Sequence, residues 1–235
     1  MVQSEHTIKQ YDVDLDALRT QVLQMGGLVE SQIQAALEVY ATGNRELADR
    51  VMEDDRRVNG YEVRIDNDCS HIIVRRQPAA TDLRTVLAIT KTVTDLERIG
   101  DEAEKIARAA RQLHEQGRAS LPRYADVRHM ADTALAMLRK ALDAFARLDA
   151  VSAAQVVKED MTIDEQFRSV LRQLITYMME DPRTISSSLD IIWIAKAIER
   201  IGDHAKNMAE YVIYMVKGTD VRHTDMENVE RQAFS

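Results

Sequence analysis

Glutamate and aspartate stand four residues apart at Glu97 with Asp101, and again at Glu199 with Asp203, each time inside the string Glu-Arg-Ile-Gly-Asp. Positions i and i+4 share one face of a helix, so each pair sets two carboxylates side by side. Such neighbours repel unless water, a basic group or a metal intervenes, and carboxylates bind hard cations without needing His or Cys. Asp55 and Asn59 form another polar i,i+4 pair, and Asp160 with Asp164 forms its counterpart. Val58 and Ile163 beside these pairs imply helices that pack nearby. If each half brings its Asp-rich pair against its Glu-Asp pair, the converging oxygens suit Mg, Mn, Fe or Zn, among which the sequence does not choose. Salt bridges to Arg98, Lys105, Arg200 or Lys206 are the competing explanation, although these start on other azimuths of their helices.

The helices that carry the motifs differ in what they imply. On the third, Leu83, Val86, Leu87, Thr90 and Val93 form an apolar face that continues into Glu97, Asp101 and Glu104 at about 100° per residue. That predicts an inward acidic stripe, unless the apolar contact drifts round to Ile99, Ala103, Ile106 and Ala110. On the sixth, Ile191, Ile194, Ala195, Ile198, Ile201, Ala205, Met208, Val212 and Met215 form the main apolar face. Glu199, Asp203 and Glu210 fall opposite and read by themselves as a solvated face. Gly100 and Gly202 cost about 1 kcal/mol each against alanine inside a helix, so a close approach by a neighbouring helix or a ligand is expected there.

The supporting elements repeat as well. Met25, Ala36 and Leu37 precede Met130, Ala141 and Leu142 by one constant offset, at which Asp55 also matches Asp160 and Val58 matches Ile163. After a small deletion Glu97, Asp101, Ala103 and Ala107 fall on Glu199, Asp203, Ala205 and Ala209. Pro78, Pro122 and Pro182 mark helix starts or linkers, since proline is tolerated in a first turn and not in an interior. Six helices are predicted, over about 7–41, 45–75, 79–116, 120–148, 151–180 and 183–217. They read as an all-α protein of two tandem three-helix bundles related by internal duplication: residues 1–117, residues 118–218, then a polar tail over 219–235 that is loose at its end. No apolar seam keeps a strict seven-residue period along a whole helix, which disfavours a coiled coil.

Composition narrows the function classes. The 235 residues carry 31 Lys plus Arg against 39 Asp plus Glu, a formal net charge of −8 that excludes a uniformly basic nucleic-acid surface. There is no apolar signal segment and no stretch long enough to span a membrane. The single Cys69 suits a reducing cytoplasm and reads as a buried helical residue. The histidines form no close-spaced ligand motif, and no HExxH, P-loop, GxGxxG or GxSxG string occurs. His204 reads as exposed or structural. Arg75 and Arg76 could bind an anion or solvate a helix end, while Tyr177, Met178 and Met179 suit either core packing or an adaptable protein-binding surface.

The passage from Gln77 to Ala107, with its Pro-Ala-Ala-Thr-Asp-Leu-Arg run at Pro78 to Arg84, and the passage from Leu189 to Gly218 resemble the PhoU family of phosphate-transport regulatory proteins. The likeness covers residues 7–217, and the family's E(D)xxxD pattern appears as Glu97-Asp101 and Glu199-Asp203. It implies two similar three-helix bundles with multinuclear metal clusters on their acidic surfaces. It implies a cytoplasmic, often homodimeric protein that is no enzyme. Such a protein acts with the ATPase subunit of the phosphate ABC transporter and a phosphate-sensing histidine kinase, and reaches the membrane only through them. It represses the phosphate-starvation response and restrains phosphate uptake. Glu97, Asp101, Glu199 and Asp203 match the ligand pattern directly, while Asp55, Asp160 and Asp164 match less closely. Asn59 stands where an acid is expected, which predicts a weaker first cluster. Two other classes remain open: a metal-dependent phosphohydrolase using the same carboxylates, and a helical scaffold whose acids are only solvated.

Overall fold

The computed structural model describes residues 2–117 and 124–234, and among them there is no strand. The helices run α1 (Val2–Thr42), α2 (Arg45–Arg76), α3 (Ala80–Glu115), α4 (Tyr124–Arg147), α5 (Ala150–Glu180), α6 (Ile185–Lys217) and α7 (Met226–Phe234). The boundaries follow local chemistry. Asn44 Oδ1 accepts the Leu47 backbone N–H, and Asp149 Oδ1 accepts those of Val151 and Ser152, supplying partners that the first helical turn lacks. Pro182 opens a short 3-10 turn ahead of α6, where Asp181 accepts from the Arg183 N–H. Gly218 ends α6 in the left-handed conformation at φ 78°. Pro122 and the residues expected to lead into the fourth helix lie outside the described residues.

Helices α1, α2 and α3 pack on one another, as do α4, α5 and α6. The two sets meet through α3 against α6, the most extensive interface of the molecule, and through α1 against α4. Thus α1, α3, α6 and α4 form a closed ring of neighbours, with α2 and α5 on its outer flanks. The duplication is visible in the core: Met25, Ala36, Leu37 and Val58 are buried, and so are Met130, Ala141, Leu142 and Ile163. Each half is therefore a three-helix bundle repeated in tandem, as the sequence repeat predicts.

One expectation is corrected. The segment after Gly218 is no loose tail, because Val221, Val229 and Ala233 are buried and α7 packs on α5 with a Lys158–Glu230 ion pair at 3.0 Å. Its apolar residues are too sparse to register as periodicity, yet three of them suffice once α5 and α6 offer a groove. Tyr177 and Met179 stay out of the core, exposed at the end of α5.

Gly100 and Gly202 mark where α2 crosses α3 and where α5 crosses α6. A Cβ at Gly202 would stand 2.8 Å from Ile163 Cδ1 and 3.1 Å from its Cγ2, and Ile163 is fully buried. A Cβ at Gly100 would stand 3.1 Å from Gln32 Oε1 and 3.2 Å from Val58 Cγ1. Gly60 has open space at the same point of its residue. In urea unfolding, Gly60→Ala is expected to raise stability by up to about 1 kcal/mol through helix propensity. Gly202→Ala is expected to lower it by about 1 kcal/mol as overpacking exceeds that gain, with recovery in an Ile163→Val background.

Candidate metal-binding faces

The crossing over Gly100 brings α2 and α3 together along a row of acids. Asp55, one turn from Asn59, faces Asp101 and Glu104, and Glu97 lies within electrostatic reach of Asp101, Asp55 and Glu62. Burial first, and then the charges of Asp101 and Glu62, hold the Glu97 carboxyl above its ordinary range. Asp55 is raised too, chiefly by burial, although the Gln32 and Asn59 amides donate to it at 3.4 Å each. Arg98 offers only loose compensation, 3.6 Å from Glu97 and 3.7 Å from Asp101, and is itself half exposed. Glu104 pairs with Arg108 at 2.6 Å.

The same face contains residues that the motif search passed over. Glu62 and Asp66 continue the Asp55–Asn59 row on α2, and both carboxyls are pushed up, first by burial. The spacing 55, 59, 62, 66 is the signal that could have found them, since it keeps one helical azimuth. Asp66 Oδ1, Asn59 Oδ1 and Gln32 Oε1 are buried oxygens with no hydrogen-bond partner.

The expected inward stripe on α3 is corrected by this geometry. Leu87, placed in its apolar face by sequence, is exposed, whereas Ile89, Leu96, Ile99, Ala103 and Ile106 fill the core. The apolar contact drifts, and Glu97, Asp101 and Glu104 lie on the flank towards α2. The acids of α3 that are deeply buried are Asp95 and Glu102, at the crossing with α6. His204 Nδ1 lies 2.6 Å from Asp95 Oδ1, and Asn207 Nδ2 donates to the same oxygen at 3.1 Å. Arg200 and Lys105 both reach Glu102 at 2.9 Å. His204 is thus structural, and Lys105 and Arg200 are withdrawn from the motif carboxylates.

The second half repeats the frame with different charges. Asp160 lies against α6, but Lys206 Nζ reaches its Oδ2 at 2.6 Å, and Lys196 pairs with Glu199. Asp164 pairs loosely with Arg168 at 3.6 Å. Asp203 is pushed up to about 6, by burial first and then by the charges of Glu199 and Asp160. Glu199 and Glu210 are mostly buried, which corrects the solvated-face expectation: α6 has α3, α4, α5 and α7 round it. At the α6 offset, Thr94 and Glu104 stand in the first half where Lys196 and Lys206 stand in the second. The hollow of about 430 Å³ beside Asp55 and Glu104 has its counterpart, about 340 Å³, lined by Arg222, His223 and Met226 of the C-terminal segment.

Among the described residues no three His, Cys, Asp or Glu side chains are already drawn together as a metal site. The first face nevertheless fits a hard cation in its donor set, being all oxygen, undercompensated by basic groups and supplied with unpartnered buried oxygens. The second face fits less well, because Lys196 and Lys206 already stand where a cation would neutralise Glu199 and Asp160. Asn59 removes one acid from the first face, while Glu62, Asp66 and Glu104 add three that the second half lacks at the matching positions.

A ring of α1, α3, α6 and α4 flanked by α2 and α5, with an E(D)xxxD pair on each of α3 and α6, defines a duplicated all-α protein of the kind built from two PhoU-type bundles. The PhoU domain matches this chain twice, over residues 22–110 and 127–212, and the chain belongs to the PhoU family. It is 50% identical to the phosphate-specific transport system accessory protein PhoU homolog of Pseudomonas putida over 227 residues, covering 96% of this chain and 88% of that one. It is 42% identical to the phosphate-specific transport system accessory protein PhoU of Escherichia coli K12, with 97% and 94% covered. Among solved structures, PhoU from Pseudomonas aeruginosa superposes with a TM-score of 0.86 at 50% identity, over 89% of this chain and 100% of that one. The phosphate transport system regulatory protein PhoU from Streptococcus pneumoniae superposes at 0.83 and 28% identity, over 90% and 99%. No helix among the described residues is long and apolar enough to cross a membrane.

The raised carboxyl of Asp203 gives a signed expectation for the metal-free protein. Its folded pKa exceeds the unfolded value of 3.8, so its contribution to stability is present below about pH 4 and is lost as pH rises through about 6. Asp203→Asn in EDTA is expected to raise Tm at pH 7.5 by about 2–4 °C, on the order of 1 kcal/mol after discounting for water at the rim, with little change at pH 4. Thermal unfolding at both pH values checks this; equal destabilisation at both would contradict it.

Proposed function

We propose that this chain is a metal-binding adaptor of phosphate homeostasis, coupling the ATPase subunit of a phosphate ABC transporter to a phosphate-sensing histidine kinase at the cytoplasmic face of the membrane. In phosphate-replete cells it represses the starvation response and restrains phosphate uptake. The observation that carries the reading is near full-length similarity to proteins named accessory to the phosphate-specific transport system. The acidic faces support its metal-binding part. Asp55, Glu97 and Asp101 are the principal ligands, and Asp160, Asp164, Glu199 and Asp203 form a weaker second set that binds once its lysines are displaced. Mg, Mn, Fe or Zn suits these oxygens, and the ion supplies positive charge that joins α2 to α3. The working form is a homodimer.

The test is capture of the purified transporter ATPase subunit and of the kinase's cytoplasmic region by the purified chain, with Mn²⁺ and with EDTA. Binding to both partners is expected, weakened by EDTA and by Asp101→Asn. Binding to neither, across metal and phosphate conditions, would sink the adaptor reading.

A further inference from the structure

The chain's single tryptophan is its most exposed aromatic side chain among the described residues. Trp193 is 69% exposed on α6, and Leu189 and Ile185, one and two turns earlier, continue an exposed apolar row. Trp193 forms one wall of a groove of about 310 Å³ between α6 and α3, where the small residues Ala109 and Ala197 leave room. Its rim is made by Lys105, Lys196 and Arg200.

The charges of this groove are arranged in depth. Lys105, Lys196 and Arg200 expose 53%, 42% and 44% of their side chains, whereas their partners Glu102 and Glu199 expose 3% and 10%. The acids lie beneath and the cations stand outward, so an approaching partner meets positive charge on a molecule whose formal net charge is −8. Tryptophan and arginine in such a setting are the residue types that anchor protein contacts, and a concave slot beside them accepts a protruding side chain.

We propose that the groove between α3 and α6 at Trp193 is the docking site for an acidic protein segment that inserts an apolar side chain beside the indole. Charge complementarity selects this occupant over a second copy of the chain, because a two-fold pairing of this face would set Lys105, Lys196 and Arg200 against themselves. The concave slot selects it over a lipid surface, which takes apolar groups that project. The inference deepens the adaptor reading and rests on it only in that the chain works through protein contacts.

The test places the photo-crosslinking residue p-benzoyl-phenylalanine at position 193 of the full chain in cells, with a control at the exposed Val74 of α2. Adducts are mapped to the crosslinked peptide by mass spectrometry. The expected result is one dominant protein adduct at 193, absent at 74, on a segment with an acidic excess and at least one large apolar residue. Its yield is expected to fall roughly two- to fivefold in a Lys105→Gln variant, in which Arg200 still holds Glu102. If that variant unfolds, the composition of the adduct with the parent chain decides alone. An adduct on a second copy, on lipid or on a basic segment would overturn the proposal, as would no adduct. An acidic segment from a protein outside phosphate transport would uphold this docking site and sink the adaptor reading. A basic segment of the transporter ATPase or the kinase would do the reverse.

Discussion

At the crossing of α3 and α6, Asp95 and Glu102 are carboxylates taken almost wholly out of water, and each is held from the opposite half of the molecule. Asp95 meets His204 and Asn207, and Glu102 meets Arg200 with help from Lys105 of its own helix. A buried charge stripped of its partner costs about 3–5 kcal/mol, so these contacts penalise any rotation or slide of one helix against the other. They make one ring of four helices out of two bundles. They also set the azimuth of α3: with Asp95 and Glu102 turned towards α6, Glu97 and Asp101 must turn towards α2. The acidic pair is displayed where it is because another acidic pair on the same helix is satisfied elsewhere.

The duplication reproduces this frame and then departs from it in charge. Close approach at Gly100 and Gly202, the buried Val58 and Ile163, and the helix-facing Asp55 and Asp160 are common to both halves. In the second half lysine ammonium groups neutralise Asp160 and Glu199 internally, and the C-terminal segment borders the adjoining hollow. In the first half Thr94 and Glu104 stand at the lysine positions, and the hollow beside Asp55 is bounded by α2 and α3 alone. One half carries its own cations. The other presents a carboxylate row in which Glu97 and Asp101 meet only Arg98, at 3.6 and 3.7 Å.

Much of the frame was legible in the sequence because it is carried by local or repeated signals. The prolines and the period of apolar residues placed helix ends to within a few residues, apart from the start of α1, and the offset between the Glu-Arg-Ile-Gly-Asp strings exposed the repeat. The candidate ligands were legible as i,i+4 pairs. What escaped depends on partners distant in the chain. Asp95 carries no local signal, because His204, which satisfies it, lies on another helix over a hundred residues away. Lys206 stood among the basic residues that could neutralise the acidic pairs, but its helix alone does not say that it reaches Asp160 on α5. Helix α7 escaped because its few apolar residues acquire meaning only from the surface they cover, and Glu62 and Asp66 escaped because they extend the row of Asp55 and Asn59 beyond the motif.

Positive charge thus closes on Glu199 and Asp160 in the second half, whereas Glu97 and Asp101 in the first have only the distant Arg98. Anomalous diffraction from crystals grown with Mn²⁺ tests this difference most directly. Strong peaks are expected between α2 and α3, within ligand distance of Glu97, Asp101 or Asp55, with weaker or no peaks beside Asp160 and Asp203 while Lys206 keeps its contact. Equal occupancy of both faces, stronger peaks in the second, or no peak at either would contradict it.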